Sequence, residues 1–148
     1  MANFESTAKA TWNGDLSGSG TVEFASGAIA NAPVSWASRT ESSNGKTSPE
    51  ELVAAAHASC YAMAFSNLLA TAGHQPEQLN VSAVVGFGPK EGGGGSEVKS
   101  SVLSVQGQVP GLDQAEFEKL ASEGEQACPI SNALRGNIEI TVNATLES

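Results

Sequence analysis

The residues of this chain best suited to chemistry are its two cysteines, Cys60 and Cys128, and the groups able to tune them: His57, Arg39, Glu50 and Glu51. A thiolate is the nucleophilic form of cysteine, and it needs a nearby cation or a helix N-terminus. Cys128 directly precedes Pro129, an N-cap position where the helix dipole and free N–H groups favour the anion. The same residue reads equally well as a plain cap. Cys60 falls in an alanine-rich run and on its own reads as a small buried apolar residue. His57 lies three residues before it, so on a helix the two share a face and could form a Cys–His nucleophile pair. No Asn or Asp is evidently placed to orient that histidine, and a lone helical His is more often structural. The cysteines form neither a CxxC pair nor a zinc pattern of usual spacing. A zinc ion on His57, Cys60 and Cys128 would lack a clear fourth ligand.

The only two arginines are Arg39 and Arg135. Arg135 is expected at the end of a short helix, where a cation suits the dipole. Arg39 has no such role, and an arginine beside a thiol lowers its pKa. Glu50 or Glu51 could hold its guanidinium through two hydrogen bonds, although both acids also suit a helix start.

These groups must be positioned by a small set of elements. Alternation of Ser6, Ala8, Ala10 and Trp12 with Thr7, Lys9 and Thr11 predicts a strand. Asn13-Gly14-Asp15 is a turn, and residues 18–25 resume a strand, giving an antiparallel hairpin. Short strands flank Asn31-Ala32-Pro33, ending in residues 34–37, and residues 41–47 read as a loop. Ser48-Pro49-Glu50-Glu51 combines an N-cap, an N1 proline and a capping box. The helix it opens carries His57, Cys60, Tyr61, Met63 and Phe65 and stops at Gly73. Its surface is apolar or small nearly all round, so a buried helix is expected rather than a membrane span. Strands follow at residues 79–88 and 97–109 around a glycine-rich tip. Asp113 caps a helix, Pro129–Leu134 is a shorter one, and residues 137–146 close the chain as a strand. The order predicts one α+β domain over residues 1–148, with antiparallel sheet around a long buried helix. A dimer that sandwiches this helix would supply its missing cover.

Composition narrows the function. The chain has 148 residues, 7 Lys+Arg against 16 Asp+Glu, and a net charge of −9. The scattered bases exclude a nucleic-acid surface and a polybasic membrane patch. Two cysteines are too few for a secreted disulfide scaffold. The first fifteen residues lack a basic stretch and an apolar run, so no targeting segment and a reducing cytoplasm are expected. No metal or cofactor is expected.

Thr47-Ser48-Pro49-Glu50-Glu51-Leu52, followed by Ala54-Ala55-Ala56-His57-Ala58-Ser59-Cys60, resembles the OsmC/Ohr family of thiol peroxidases. Cys128-Pro129-Ile130-Ser131, followed by Ala133-Leu134, resembles that family's second cysteine motif. The segments from Ala10 to Asp15 and from Ser38 to Glu41 are similar to the OsmC branch rather than Ohr. The resemblance implies an intertwined homodimer that reduces organic hydroperoxides, and hydrogen peroxide less well. It assigns Cys60 the peroxidatic role, Cys128 the resolving role, Arg39 the activation of the thiolate and Glu50 the holding of that arginine. It also implies a thiol reductant, a dihydrolipoyl protein being one candidate. Peroxide cleavage needs a thiolate, a donor for the departing oxyanion and an apolar approach. Tyr61, Met63, Phe65 and Ile130 are the expected apolar substrate pocket. Helix-terminus electrostatics alone favours Cys128 as the reactive thiol, whereas the motif assigns first attack to Cys60. Ten residues of helix would separate Glu50 from Cys60 by roughly 15 Å along the axis. Glu50 and Arg39 are therefore expected to serve Cys60 of the other subunit. The rival readings are a non-catalytic, stress-related small-molecule-binding dimer and a hydrolase built on Cys60 and His57.

Overall fold

The computed structural model describes residues 2–147. The chain divides into two compact units, split after Leu52. In the first, β1 (Ala8–Asn13), β2 (Ser19–Phe24) and β3 (Ala32–Val34) form an antiparallel sheet in that order. The Asn-Gly-Asp turn is closed by the Asp15 carboxylate, which accepts from the Ser17 N–H at 2.9 Å, while the Trp12 indole donates to the Asp15 carbonyl. A short helix, α1 (Ala37–Thr40), stands where the sequence suggested only a run-in to the loop, and it carries Arg39. The Ser38 hydroxyl lies within hydrogen-bond reach of the Ser35 and Thr47 carbonyls, which ties the ends of the 41–47 loop together.

Helix α2 (Pro49–Thr71) begins at the end of the first unit and runs unbroken into the second. One arm of the capping box forms, with the Glu51 N–H donating to Ser48 Oγ at 3.1 Å. The Glu51 carboxylate instead takes the Thr47 hydroxyl at 2.6 Å. At the other end Gly73 has φ +91°, and the N–H groups of His74 and Gly73 return to the carbonyls of Leu69 and Ala70. That is the pattern by which a glycine in the left-handed region satisfies the last turn of a helix.

In the second unit β4 (Gln78–Pro89), β5 (Ser96–Gln108) and β6 (Glu139–Leu146) form a sheet in that order. Strands β4 and β5 are an antiparallel hairpin across the glycine-rich tip, but β5 and β6 run parallel. The expectation of purely antiparallel sheet is corrected here. The chain between β5 and β6 passes through α3 (Gln114–Ala127) and α4 (Pro129–Leu134), and a crossover of that length returns a strand in the same direction. The Asp113 carboxylate caps α3 by accepting from the Glu116 N–H at 2.8 Å.

The core of this unit is a stripe of α2 against the sheet and α3. His57, Tyr61, Phe65 and Leu69, spaced by four, are fully buried, and the apolar ones pack with Leu103, Val105, Phe117 and Leu120. The opposite face of α2 is open: Ala55, Ala56, Ser59 and Asn67 are exposed, and Met63 is 68% exposed. Burial all round therefore does not occur within one chain, because a single sheet and helix cover a single face. By length and composition α2 could cross a membrane, yet its aromatic stripe is spent on this core.

Gly107 of β5 shows how closely the layers approach. A methyl group there would stand 2.5 Å from Cζ of Phe117 and 2.7 Å from its Cε2. Phe117 is fully buried and packs tilted against Phe65 at 5.3 Å between ring centroids, so it has little room to retreat. Gly107→Ala is expected to destabilise the protein by about 1–3 kcal/mol, read as a lower urea midpoint. An unchanged midpoint would show that Phe117 can slide.

Candidate active site

Cys128 is both the C-cap of α3 and the N-cap of α4, in extended backbone with ψ 117°. Its position follows from local sequence. Proline at the next position cannot continue α3 but can start α4, so the chain must break at the cysteine. The Cys128 sulfur is fully buried and accepts from the Ser131 N–H at 3.4 Å.

Cys60 lies half-buried on α2, beside the core stripe, and both cysteines are free thiols. Burial pushes the Cys60 thiol above its ordinary value. The Ile130 backbone N–H opposes this, and the hydrogen bond to Cys128 and that group's charge push it up again. The structure thus brings Cys60, Cys128 and the first turn of α4 together, far apart though they are in sequence. The Ile130 N–H of that turn favours the thiolate.

His57 does not pair with Cys60. Its Nδ1 lies 2.6 Å from Ser101 Oγ on β5, and its Nε2 lies 2.7 Å from Ser131 Oγ on α4. Both ring nitrogens are occupied, so the geometry for a Cys–His hydrolase is missing. Burial holds the imidazole below its ordinary pKa, with Glu125 pulling the other way. At the far end of α4 the Arg135 guanidinium donates to the Glu125 carboxylate at 2.7 Å and to Asn132 Oδ1 at 2.9 Å. Arg135 therefore does more than complement a helix end, since it ties α4 back to α3. Among the described residues no three His, Cys, Asp or Glu side chains gather to hold a metal.

In the first unit Arg39 and Glu50 form the bidentate pair that the sequence suggested. Nε and Nη2 of Arg39 donate to the two Glu50 oxygens at 3.1 and 2.6 Å. The Glu50 side chain is 8% exposed, and the guanidinium lies 5.3 Å from the Trp36 ring centroid. Glu51, the alternative partner, is taken by Thr47. Trp12, Leu16, Val34, Trp36, Arg39 and Pro49 line a cavity of about 340 Å³. Ser35 also lines this mostly apolar recess.

The expected apolar pocket of Tyr61, Met63, Phe65 and Ile130 is not assembled. Tyr61 and Phe65 are core residues with no exposure, and the Tyr61 hydroxyl donates to the Ala121 carbonyl at 2.9 Å. Burial raises the pKa of that phenol. Met63 points the other way, as a residue two places along a helix must. Ile130 stays half-buried in the first turn of α4, beside Cys60. The roles of Ser101, Ser131 and the two tryptophans were not read from sequence. Serine and tryptophan at scattered positions give no periodic signal, although Ser131 stands three residues after a helix-capping cysteine.

Residues 42–143 match the protein family described as OsmC-like protein. Over 141 residues, 95% of each chain, the sequence is 35% identical to peroxiredoxin OsmC of Escherichia coli strain K12. Over 97 residues, 65% of each chain, it is 37% identical to an organic hydroperoxide resistance protein of Xanthomonas axonopodis pv. citri. The fold superposes on the crystal structure of an organic hydroperoxide resistance protein from Elizabethkingia anophelis. The TM-score is 0.77 and the identity 28%, covering 99% of this chain and 100% of that one.

Proposed function

This chain belongs to the OsmC-like family and is a peroxidase, and from that premise we propose that it reduces organic hydroperoxides through a Cys60 sulfenic acid and a Cys60–Cys128 disulfide. The observation that carries the reading is the meeting of two free thiols, one on α2 and one heading α4. The Cys60 thiolate attacks the terminal peroxide oxygen. The O–O bond breaks, the alkoxide takes a proton and leaves as the alcohol, and the sulfur keeps a hydroxyl as sulfenic acid. Cys128 then attacks that sulfur, forming the disulfide and releasing water. An external thiol reductant, for which a dihydrolipoyl protein is the candidate, returns both thiols.

Arg39, held by Glu50, supplies the positive charge that favours the thiolate and the departing oxyanion. The unbroken α2 places Glu50 ten residues from Cys60, about 15 Å along the axis. The pair therefore serves Cys60 of a second copy in a homodimer, whose formation also covers the open face of α2. The apolar recess beside Arg39 takes the organic part of the substrate. A reducing compartment such as the cytoplasm keeps the resting thiols free.

One equivalent of cumene hydroperoxide is expected to remove both thiols from each chain, counted with a thiol reagent after quenching. Unchanged thiols would support the non-catalytic binding reading instead. Running dihydrolipoamide, thioredoxin and glutathione systems side by side identifies the reductant by which one restores turnover.

A further inference from the structure

The mechanism leaves one buried polar cluster unused: His57 with Ser101 and Ser131. All three side chains are fully buried, so no bulk water competes for their hydrogen bonds. Ser101 anchors the imidazole to the central strand β5 through Nδ1, and Nε2 reaches across to Ser131. Ser131 is also the residue whose N–H donates to the Cys128 sulfur. His57 in turn precedes Cys60 by three residues on the rigid α2. The two cysteines are thus connected through a hydrogen-bonded path of fixed length: Cys60, one turn of α2, His57, Ser131, Cys128. Helix α4 has only six residues, too short to hold its own orientation. Its far end is tied by Arg135 to Glu125, and its near end by this histidine.

We infer that His57 is a positioning residue for the second cysteine, holding the first turn of α4, and with it Cys128, within reach of a sulfenic acid on Cys60. This rests on the peroxidase reading above. The step affected is attack of the Cys128 sulfur on the Cys60 sulfenic sulfur, in which the S–S bond forms and the S–O bond breaks. The hydroxyl leaves with the Cys128 proton as water. The earlier step, oxygen transfer from peroxide to Cys60, needs no Cys128 sulfur and feels the first turn of α4 only through the Ile130 N–H beside Cys60. A loosened α4 therefore slows disulfide formation more than peroxide consumption, and it leaves the sulfenic acid open to further oxidation.

The two nitrogens of His57 allow a directional test. A glutamine amide reaches about where Nε2 lies, and an asparagine amide about where Nδ1 lies. His57→Gln keeps the tie to Ser131, whereas His57→Asn keeps only the tie to Ser101. Reduced full-length protein is mixed with one equivalent of cumene hydroperoxide. Sulfenic acid is trapped with dimedone at successive times, and intact masses give the sulfenic, disulfide and sulfinic fractions. His57→Gln is expected to form the disulfide at close to the wild-type rate. His57→Asn and Ser131→Ala are expected to be slower by about tenfold, the effect of one lost buried hydrogen bond. His57→Gln should consume peroxide at close to the wild-type rate, and in the two slow variants peroxide consumption should fall less than disulfide formation, so that they accumulate more sulfinic acid under excess peroxide. Disulfide formation at the wild-type rate in both His57→Asn and Ser131→Ala overturns the inference. So does equal slowing in Gln and Asn variants together with the peroxide step, or failure of all three variants to fold, since these mark a merely structural histidine. A wild-type protein that forms no sulfenic acid on Cys60 would instead bring down the peroxidase reading itself.

Discussion

Cys60→Ser is expected to abolish peroxide consumption altogether, a loss larger than that from any other single substitution in this chain. Cys128→Ser should still consume one equivalent of peroxide per chain and stop there, with a sulfenic acid on Cys60 that dimedone captures. The asymmetry follows from the chemistry of the two steps. In the proposed mechanism only the first cysteine meets peroxide, while the second meets a sulfur already oxidised. The local setting makes this a demanding test. Cys128 heads a helix and takes an N–H from Ser131, the local setting that the sequence alone favours for a reactive thiol. Burial meanwhile pushes the Cys60 thiol up. Cys128 is fully buried, however, and Cys60 is not. Access for an organic substrate therefore opposes the dipole, and under the proposed mechanism the full charge of an arginine outweighs the partial charge of a helix terminus. The measurement is peroxide consumed per chain in a single turnover, with mass spectra of the products. Consumption by Cys60→Ser together with inert Cys128→Ser would exchange the two roles.

The part of this arrangement legible in sequence is the part written in local grammar. The start of α2 was visible because Ser48, Pro49 and the acids that follow each satisfy a helix N-terminus by themselves. Its end was visible because a left-handed position needs Gly73. The break at Cys128 was visible because proline cannot continue a helix. The residues alone left Glu50 and Glu51 both open as partners of Arg39, and only the family resemblance pointed to the Glu50 that grips it. What escaped is what depends on the third dimension. The direction of β6 is set by the crossover through α3 and α4, which alternation of Ile140 and Val142 cannot report. Tyr61, Met63 and Phe65 look alike in a hydropathy pattern, yet a 100° step per residue sends Met63 to the open face and the other two into the core. The serines on either side of His57 come from β5 and α4, so nothing near residue 57 announces them.

Arg39→Ala is expected to slow oxidation of Cys60 by about 10²–10³-fold, the usual cost of removing one preorganised donor to a developing oxyanion. Glu50→Ala should act in the same direction and less strongly, because the guanidinium then keeps its charge and loses its grip. The question of which chain supplies the pair can be answered without a structure of the assembly. A Glu50→Ala chain keeps Cys60, and a Cys60→Ser chain keeps Glu50. If the pair works within one chain, a mixture of the two is as poor as its parents, because no chain has both groups. If it works across a dimer, each mixed dimer contains one complete site, built from the Cys60 of one variant and the Glu50 of the other. After unfolding and refolding an equal mixture, random pairing should restore about a quarter of the wild-type sites. Activity no greater than the parents' sum would confine Arg39 and Glu50 to their own chain, and α2 would then have to bend to bring them near. Recovery of that fraction makes the dimer a condition of catalysis. Dilution below its dissociation constant would then lower the rate per chain, even with every residue of the site intact.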